Sequence, residues 1–128
     1  MLNIFNMLFP NMNNSRQYLG YNLISVEQAK DMIKNNEVIL IDVRTKNEYD
    51  LVNIKGSINI PLNVLTKEIY TKIPDKRTKI MIYCASGYRS KSAIKLLNRM
   101  GYSNIYIWED AAIATFNYKD MLVFGNEK

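Results

Sequence analysis

The 128-residue chain contains no histidine and a single cysteine, Cys84. The first absence removes the imidazole base of Ser-His-Asp and Cys-His machinery, together with the commonest metal ligand. The second excludes an intramolecular disulfide and any multi-cysteine metal site. It is most simply read as belonging to a reducing compartment, so a cytoplasmic location is expected.

Long apolar runs and clusters of like charge are also missing. The apolar part of "MLNIFNMLFP" ends at Pro10, is interrupted by Asn3 and Asn6, and falls far short of the ~20 residues that span a bilayer. No Lys or Arg precedes it and no small-residue cleavage site follows, so a secretory signal is not expected. Residues 1–22 are read as a separate N-terminal segment, a short helix docking on the domain or on a partner, with an interfacial membrane contact as the alternative. The net charge of +5 is spread along the chain without a basic run or basic-aromatic alternation. That pattern argues against nucleic acid and reads as a solvated surface that helps draw in small anions.

What remains, residues 23–128, fits one domain with an ordinary core. In "ISVEQAKDMIKNN", Ser25 and Gln28 make a capping-box pattern, and Val26, Ala29, Met32 and Ile33 recur at helical spacing, predicting a helix that ends near Asn35. "VILIDV" (Val38 to Val43), "KIMIY" and "NIYIW" are short β-rich apolar runs of the kind buried on both faces of a sheet. Between them the sequence predicts a short helix over Lys46 to Leu51, a segment "SINI" closed by Pro61, and helices in "LNVLTKEIYTKI" and "RSKSAIKLLNRMG", the last stopped by Gly101. Helices alternating with apolar strands predict an α/β fold, with a mainly parallel central sheet covered by helices on both faces.

Cys84 follows one of these strand runs directly, so it falls on the rim where open α/β sheets bind ligands. Asp42 and Arg44, at the end of an earlier run, are candidates for the same rim. The segment Ala85, Ser86, Gly87, Tyr88, Arg89, Ser90 runs from strand into helix. Such a loop aims backbone N–H groups at an anion, and the helix adds partial positive charge. Gly87 permits positive φ, and Arg89 and Lys91 offer cationic partners to a bound oxyanion, Arg89 bidentately. The same surroundings favour a thiolate, so the missing histidine does not disarm Cys84. Tyr88 is placed at the pocket mouth, whereas Tyr83, Tyr102 and Tyr106, in or beside strand runs, read as packing. Cys84 itself has a packing alternative, as a small core residue.

"CASGYRS" resembles the Cys-x-x-Gly-x-Arg-Ser active-site loop of rhodanese-like, single-domain sulfurtransferases. "ISVEQAKDMI", "VILIDVRTKNEYDLVNIKGSINIPL" and "LLNRMGYSNIYIWEDAAIATF" resemble other parts of that family, so the likeness runs from about Leu23 to Phe116. It implies a central sheet of about five strands and a Cys84 nucleophile. Cys84 would take the outer sulfur of a donor such as thiosulfate as a persulfide and pass it to a thiol, cyanide-like or protein acceptor, with no metal or redox cofactor required. Asp42 and Arg44 match the family's Asp-Val-Arg segment, as an anion-facing group or a structural pair, and Glu48 reads as a scaffold partner for one of the arginines. The chain departs from the family where Gly-His-Ile is common, having Val52, Asn53 and Ile54. It departs again at Ala111, Ala112 and Ile113, where Gly-Gly-Ile is usual, and at Phe116 in a Trp position. A non-catalytic binding module is the principal alternative. Cysteine phosphatase or arsenate reductase chemistry is disfavoured, because those families resemble Cys-x5-Arg and only four residues separate Cys84 from Arg89.

Overall fold

The computed structural model describes residues 20–125. The expected helix within residues 1–22 lies, apart from residues 20–22, outside the described residues. The chain then runs β1 (Asn22–Ile24), α1 (Val26–Lys34), β2 (Ile39–Asp42), α2 (Lys46–Leu51), β3 (Val52–Ile54), β4 (Ile58–Asn59), a 3₁₀ turn at Leu62–Val64 and α3 (Leu65–Lys72). It continues with β5 (Ile80–Tyr83), α4 (Tyr88–Arg99), β6 (Ile105–Trp108), 3₁₀ turns at Ile113–Thr115 and Lys119–Met121, and β7 (Leu122–Phe124).

Local chemistry sets the helix ends. The Ser25 hydroxyl accepts from the Gln28 amide while the Gln28 side chain accepts from the Ser25 amide, the reciprocal cap predicted from sequence. Thr45 and Glu48 form a second capping box at the start of α2. Gly101, in the left-handed region at φ 96°, stops the chain after α4.

Five strands form one sheet in the order β1-β6-β5-β2-β4, and every pairing in it is parallel. β3 and β7 form a separate antiparallel pair. The expected five-stranded parallel sheet is therefore present. The small second sheet and edge strand β1 are features that the sequence reading did not anticipate.

Each face of the sheet carries its own core. On one, Leu65 and Ile69 of α3 and Ala93, Ile94 and Leu97 of α4 pack with Ile41, Ile80, Ile82 and Ile105. On the other, Ala29 of α1 packs with Leu40, Met81, Tyr83, Trp108, Phe116 and Ile54. Truncating one of these fully buried side chains, as in Ile69→Ala, costs about 2–5 kcal/mol, so both faces are needed to hold the strand ends in place. β2 and β5 are in register, Asp42 beside Tyr83. Their carboxyl ends thus bring Asp42–Arg44 and Cys84 onto one rim.

Candidate active site

Cys84 continues β5 by one residue and is held by its main chain. Its amide donates to the Ala111 carbonyl at 2.9 Å and its carbonyl accepts from the Ile113 amide at 2.9 Å, a parallel bridge centred on Ala112. Its Sγ accepts from the Gly87 amide at 2.9 Å and lies 3.4 Å from the Ser90 amide. Two backbone donors therefore converge on the sulfur from the first turn of α4 and its cap, an arrangement suited to negative charge on sulfur. The cysteine is fully buried.

The loop has this shape because of Gly87, whose φ of 96° is left-handed. A Cβ there would lie 2.3 Å from the Asp110 carbonyl oxygen, so no other residue fits without moving the 110–113 turn. Ser90 is buried and its hydroxyl donates to the Ala111 carbonyl at 3.2 Å, a second tie between helix and turn. Ala111 itself sits at φ 51°, an unusual conformation for a residue with a Cβ and the one that the glycine of the family pattern would adopt without strain. Ala85 is half-buried, while Ser86 and Tyr88 are exposed, Tyr88 at 85%. The amides of Ala85, Ser86, Tyr88 and Arg89 find no acceptor among the described residues, which leaves donors free at the rim.

Arg89 is already paired. Its guanidinium makes a two-pronged pair with Glu48, at 2.6 Å and 2.9 Å. Glu48 is positioned in turn by the Thr45 cap, accepting from the Thr45 amide and hydroxyl at 3.1 Å each. Arg89 holds the Glu48 carboxyl at about 2, well below its ordinary 4.5, with the Thr45 bonds adding to the effect. The sequence reading of Glu48 as an arginine's scaffold partner rather than a base describes this geometry. The Thr45–Glu48 spacing is a capping-box signal available from sequence, but the partner across 41 residues is not.

Asp42 and Arg44 form a closed pair. Arg44 Nη2 lies 2.7 Å from Asp42 Oδ2, and the two side chains are 4% and 0% exposed. Arg44 also donates to the Val52 carbonyl at 2.5 Å and lies over the Tyr83 ring. Asn59 bridges the carbonyls of Asp42 and Arg44 at 3.0 and 2.9 Å. Of the two roles weighed for Arg44, this is the geometry of the structural pair, and Arg44 lines neither depression beside the loop. Burial pushes the Tyr83 phenol up; the hydroxyl accepts from the Ile54 amide and shares a hydrogen bond with Ser57, which locks β5 to β3. Asn53 donates to the Tyr49 carbonyl at 2.9 Å, and Phe116 packs against Trp108, so these two of the three departures from the family pattern are occupied by framework contacts.

Lys91 lies on the exposed face of α4 beside the loop. It shares an open depression with Ser86, Gly87, Tyr88, Ser92 and Lys95. Ser92 and Lys95 were not singled out from the sequence, although their spacing from Tyr88 places them on the same helical face.

A family model described as "Rhodanese-like domain" matches residues 25–111. The chain belongs to that family. Among its relatives, Thiosulfate sulfurtransferase PspE of Escherichia coli (strain K12) is 38% identical over 65 residues, which cover 51% of this chain and 62% of that protein. Thiosulfate:glutathione sulfurtransferase of Saccharomyces cerevisiae is 33% identical over 97 residues, covering 66% of this chain and 70% of that protein. The match to the first thus spans less than two thirds of that relative's length. Among solved structures, a rhodanese-related protein from Thermoplasma volcanium superposes with a TM-score of 0.66 at 30% identity, covering 80% of this chain and 98% of the other. The rhodanese-like match includes β2, α2, β5, the Cys84 loop and α4, and so takes in every group described above up to Ala111. No helix among the described residues is long and apolar enough to cross a membrane.

Proposed function

We propose that this chain transfers a sulfane sulfur through a persulfide on Cys84. The observation that carries the reading is the pair of backbone amides, Gly87 and Ser90, directed at Sγ. They stabilise an anionic sulfur whether it belongs to the thiolate or to the outer atom of a persulfide.

The chemistry closes without metal or redox cofactor. The Cys84 thiolate attacks the outer sulfur of thiosulfate, a bond forms between the two sulfurs, and the donor's own S–S bond breaks with its electron pair leaving as sulfite. A thiolate acceptor then attacks the outer sulfur of the persulfide, and the electron pair of the Cys84 S–S bond returns to Sγ. Each half is a nucleophilic displacement, and the enzyme ends as it began. Relatives named as thiosulfate sulfurtransferases support thiosulfate as donor and a thiol as acceptor. Cys84 is fully buried, so a donor reaches its sulfur only when the residues around it move.

That burial also favours a second reading. Cys84 belongs to the same apolar cluster as Val43, Leu65 and Ala93, as a packed cysteine in a non-catalytic binding module would. Intact mass after incubation with thiosulfate separates the two. A gain of one sulfur, absent in Cys84→Ser and removed by cyanide, is the result expected. No adduct, together with resistance of the folded protein to alkylation, overturns sulfur transfer in favour of the packed cysteine.

A further inference from the structure

Beside the loop, Ser86, Gly87, Tyr88, Lys91, Ser92 and Lys95 line an open depression of about 450 Å³, within the range that holds one small molecule. Tyr88, Lys91, Ser92 and Lys95 stand at i, i+3, i+4 and i+7 of α4, so they form a single stripe. Both lysines are exposed, and neither has a carboxylate partner among the described residues. The helix itself gains nothing from them. The first turn of α4 holds no acidic residue of its own and the Glu48 carboxylate beside it is taken up by Arg89, so Lys91 near the positive end of the helix dipole has no carboxylate to itself, and Lys91 and Lys95 repel each other at i, i+4. An anion between them would reverse both penalties. The depression also shares Gly87 with the sulfur site, and it is the Gly87 amide that donates to Cys84 Sγ.

Resting on the sulfur-transfer reading, we propose that this depression is the acceptor site and that it selects small thiols carrying carboxylates. Lys91 and Lys95 hold the carboxylates, the exposed Tyr88 ring covers the carbon skeleton, and the thiolate lies over Gly87, facing the Cys84 persulfide. The acceptor thiolate bonds to the outer sulfur, the Cys84 S–S bond breaks with its electron pair returning to Sγ, and the acceptor departs as a persulfide. A neutral thiol can follow the same path but makes neither ion pair. Lys91 and Lys95 are specificity residues, since neither is asked to move a proton or touch the reacting sulfur.

The test uses full-length protein loaded with thiosulfate, freed of excess donor and checked by intact mass. Loss of the persulfide sulfur is then followed at low ionic strength with 2-mercaptoethanol, 3-mercaptopropionate and mercaptosuccinate, which carry no, one and two carboxylates. With rates expressed per thiolate, the expected order rises with carboxylate number. The ratio of the mercaptosuccinate rate to the 2-mercaptoethanol rate falls about 10-fold in the Lys91→Gln/Lys95→Gln double variant, while Lys67→Gln, an exposed lysine outside the depression, leaves that ratio alone. A wild type without preference, or a ratio unmoved in the double variant, overturns the proposal. If the protein takes up no sulfur, the sulfur-transfer reading fails instead. The site is then judged on Cys84→Ser protein by titrating tricarballylate, a thiol-free tricarboxylate, and following the backbone amide resonances of Lys91, Ser92 and Lys95. Saturable shifts lost in the double variant uphold an anion site there; no shifts overturn it.

Discussion

Two arginine–carboxylate pairs stand at the ends of neighbouring strands, and they differ in almost everything except their chemistry. Arg44 and Asp42 are two residues apart and nearly sealed from water, with the Asp42 carboxylate also accepting from the Arg44 amide, Arg44 Nη2 donating to the Val52 carbonyl, and Asn59 tying down the main-chain carbonyls of both. Arg89 and Glu48 are 41 residues apart and about one-third exposed, at 32% and 33%. The first pair is an internal strut that fixes how β2 ends. The second is a tether that joins the cap of α2 to the first turn of α4 and so sets where the cysteine loop sits. A guanidinium near the cysteine is therefore not automatically free for an anion; in this protein, both arginines that the sequence offers as anion partners are engaged with carboxylates.

The comparison is broken most severely at the strut. Asp42→Ala leaves the Arg44 guanidinium buried without its counter-charge, and the expected loss is about 3–5 kcal/mol in urea unfolding. A loss below about 1 kcal/mol would mean that the pair is not the sealed unit described. Next in size is Gly87→Ala, which forces a Cβ against the Asp110 carbonyl at a left-handed φ. We expect about 1–3 kcal/mol of destabilisation together with loss of persulfide formation. Retention of both stability and sulfur uptake would show that the 110–113 turn yields easily and does not fix the loop.

The tether should fail more gently, and with a pH signature of its own. Glu48→Gln keeps the shape and the Thr45 cap but removes the charge, and the expected stability loss at neutral pH is about 0.5–1 kcal/mol, discounted for solvent screening of a part-exposed pair. The sign follows from the depressed acidity of Glu48. A carboxylate at about 2 in the folded protein, against an ordinary 4.5, contributes its full increment above pH 4.5 and loses it as pH falls toward 2. Wild type and Glu48→Gln stabilities should therefore converge across that window. Parallel curves would place the acid sensitivity elsewhere.

Which parts were legible in the sequence follows the same division between local and distant causes. The Ser25–Gln28 box, the apolar runs of β2, β5 and β6, the helix α4 and the left-handed Gly87 each depend on residues close in sequence, and each is where the pattern placed it. β3 and β7 were not legible, because each is three residues long and their pairing joins residues 52–54 to 122–124. Arg89's engagement with Glu48 was open for the same reason: spacing names the two charged groups, but only the fold decides that they meet. The depression on α4 lies between these cases, since the Tyr88, Lys91, Ser92, Lys95 spacing is visible in sequence whereas the absence of any carboxylate partner is not.

The smallest effect is expected where the loop's support departs from the family pattern. Ala111 holds a left-handed φ of 51° while its carbonyl accepts from both the Cys84 amide and the Ser90 hydroxyl. Ala111→Gly relieves a conformational penalty on the Cβ of about 1 kcal/mol but adds freedom to the unfolded chain worth about 0.4–1 kcal/mol in the opposite sense. The net change in unfolding free energy should thus stay within about 0.5 kcal/mol, with sulfur uptake at Cys84 preserved. Ala111→Val is the informative partner, because a β-branched side chain tolerates that backbone far less well. If the turn supports the loop as strictly as the Gly87 contact indicates, the valine variant loses both stability and persulfide formation while the glycine variant loses neither. Equal behaviour of the two would move the support of Cys84 away from the turn and onto the Glu48–Arg89 tether alone.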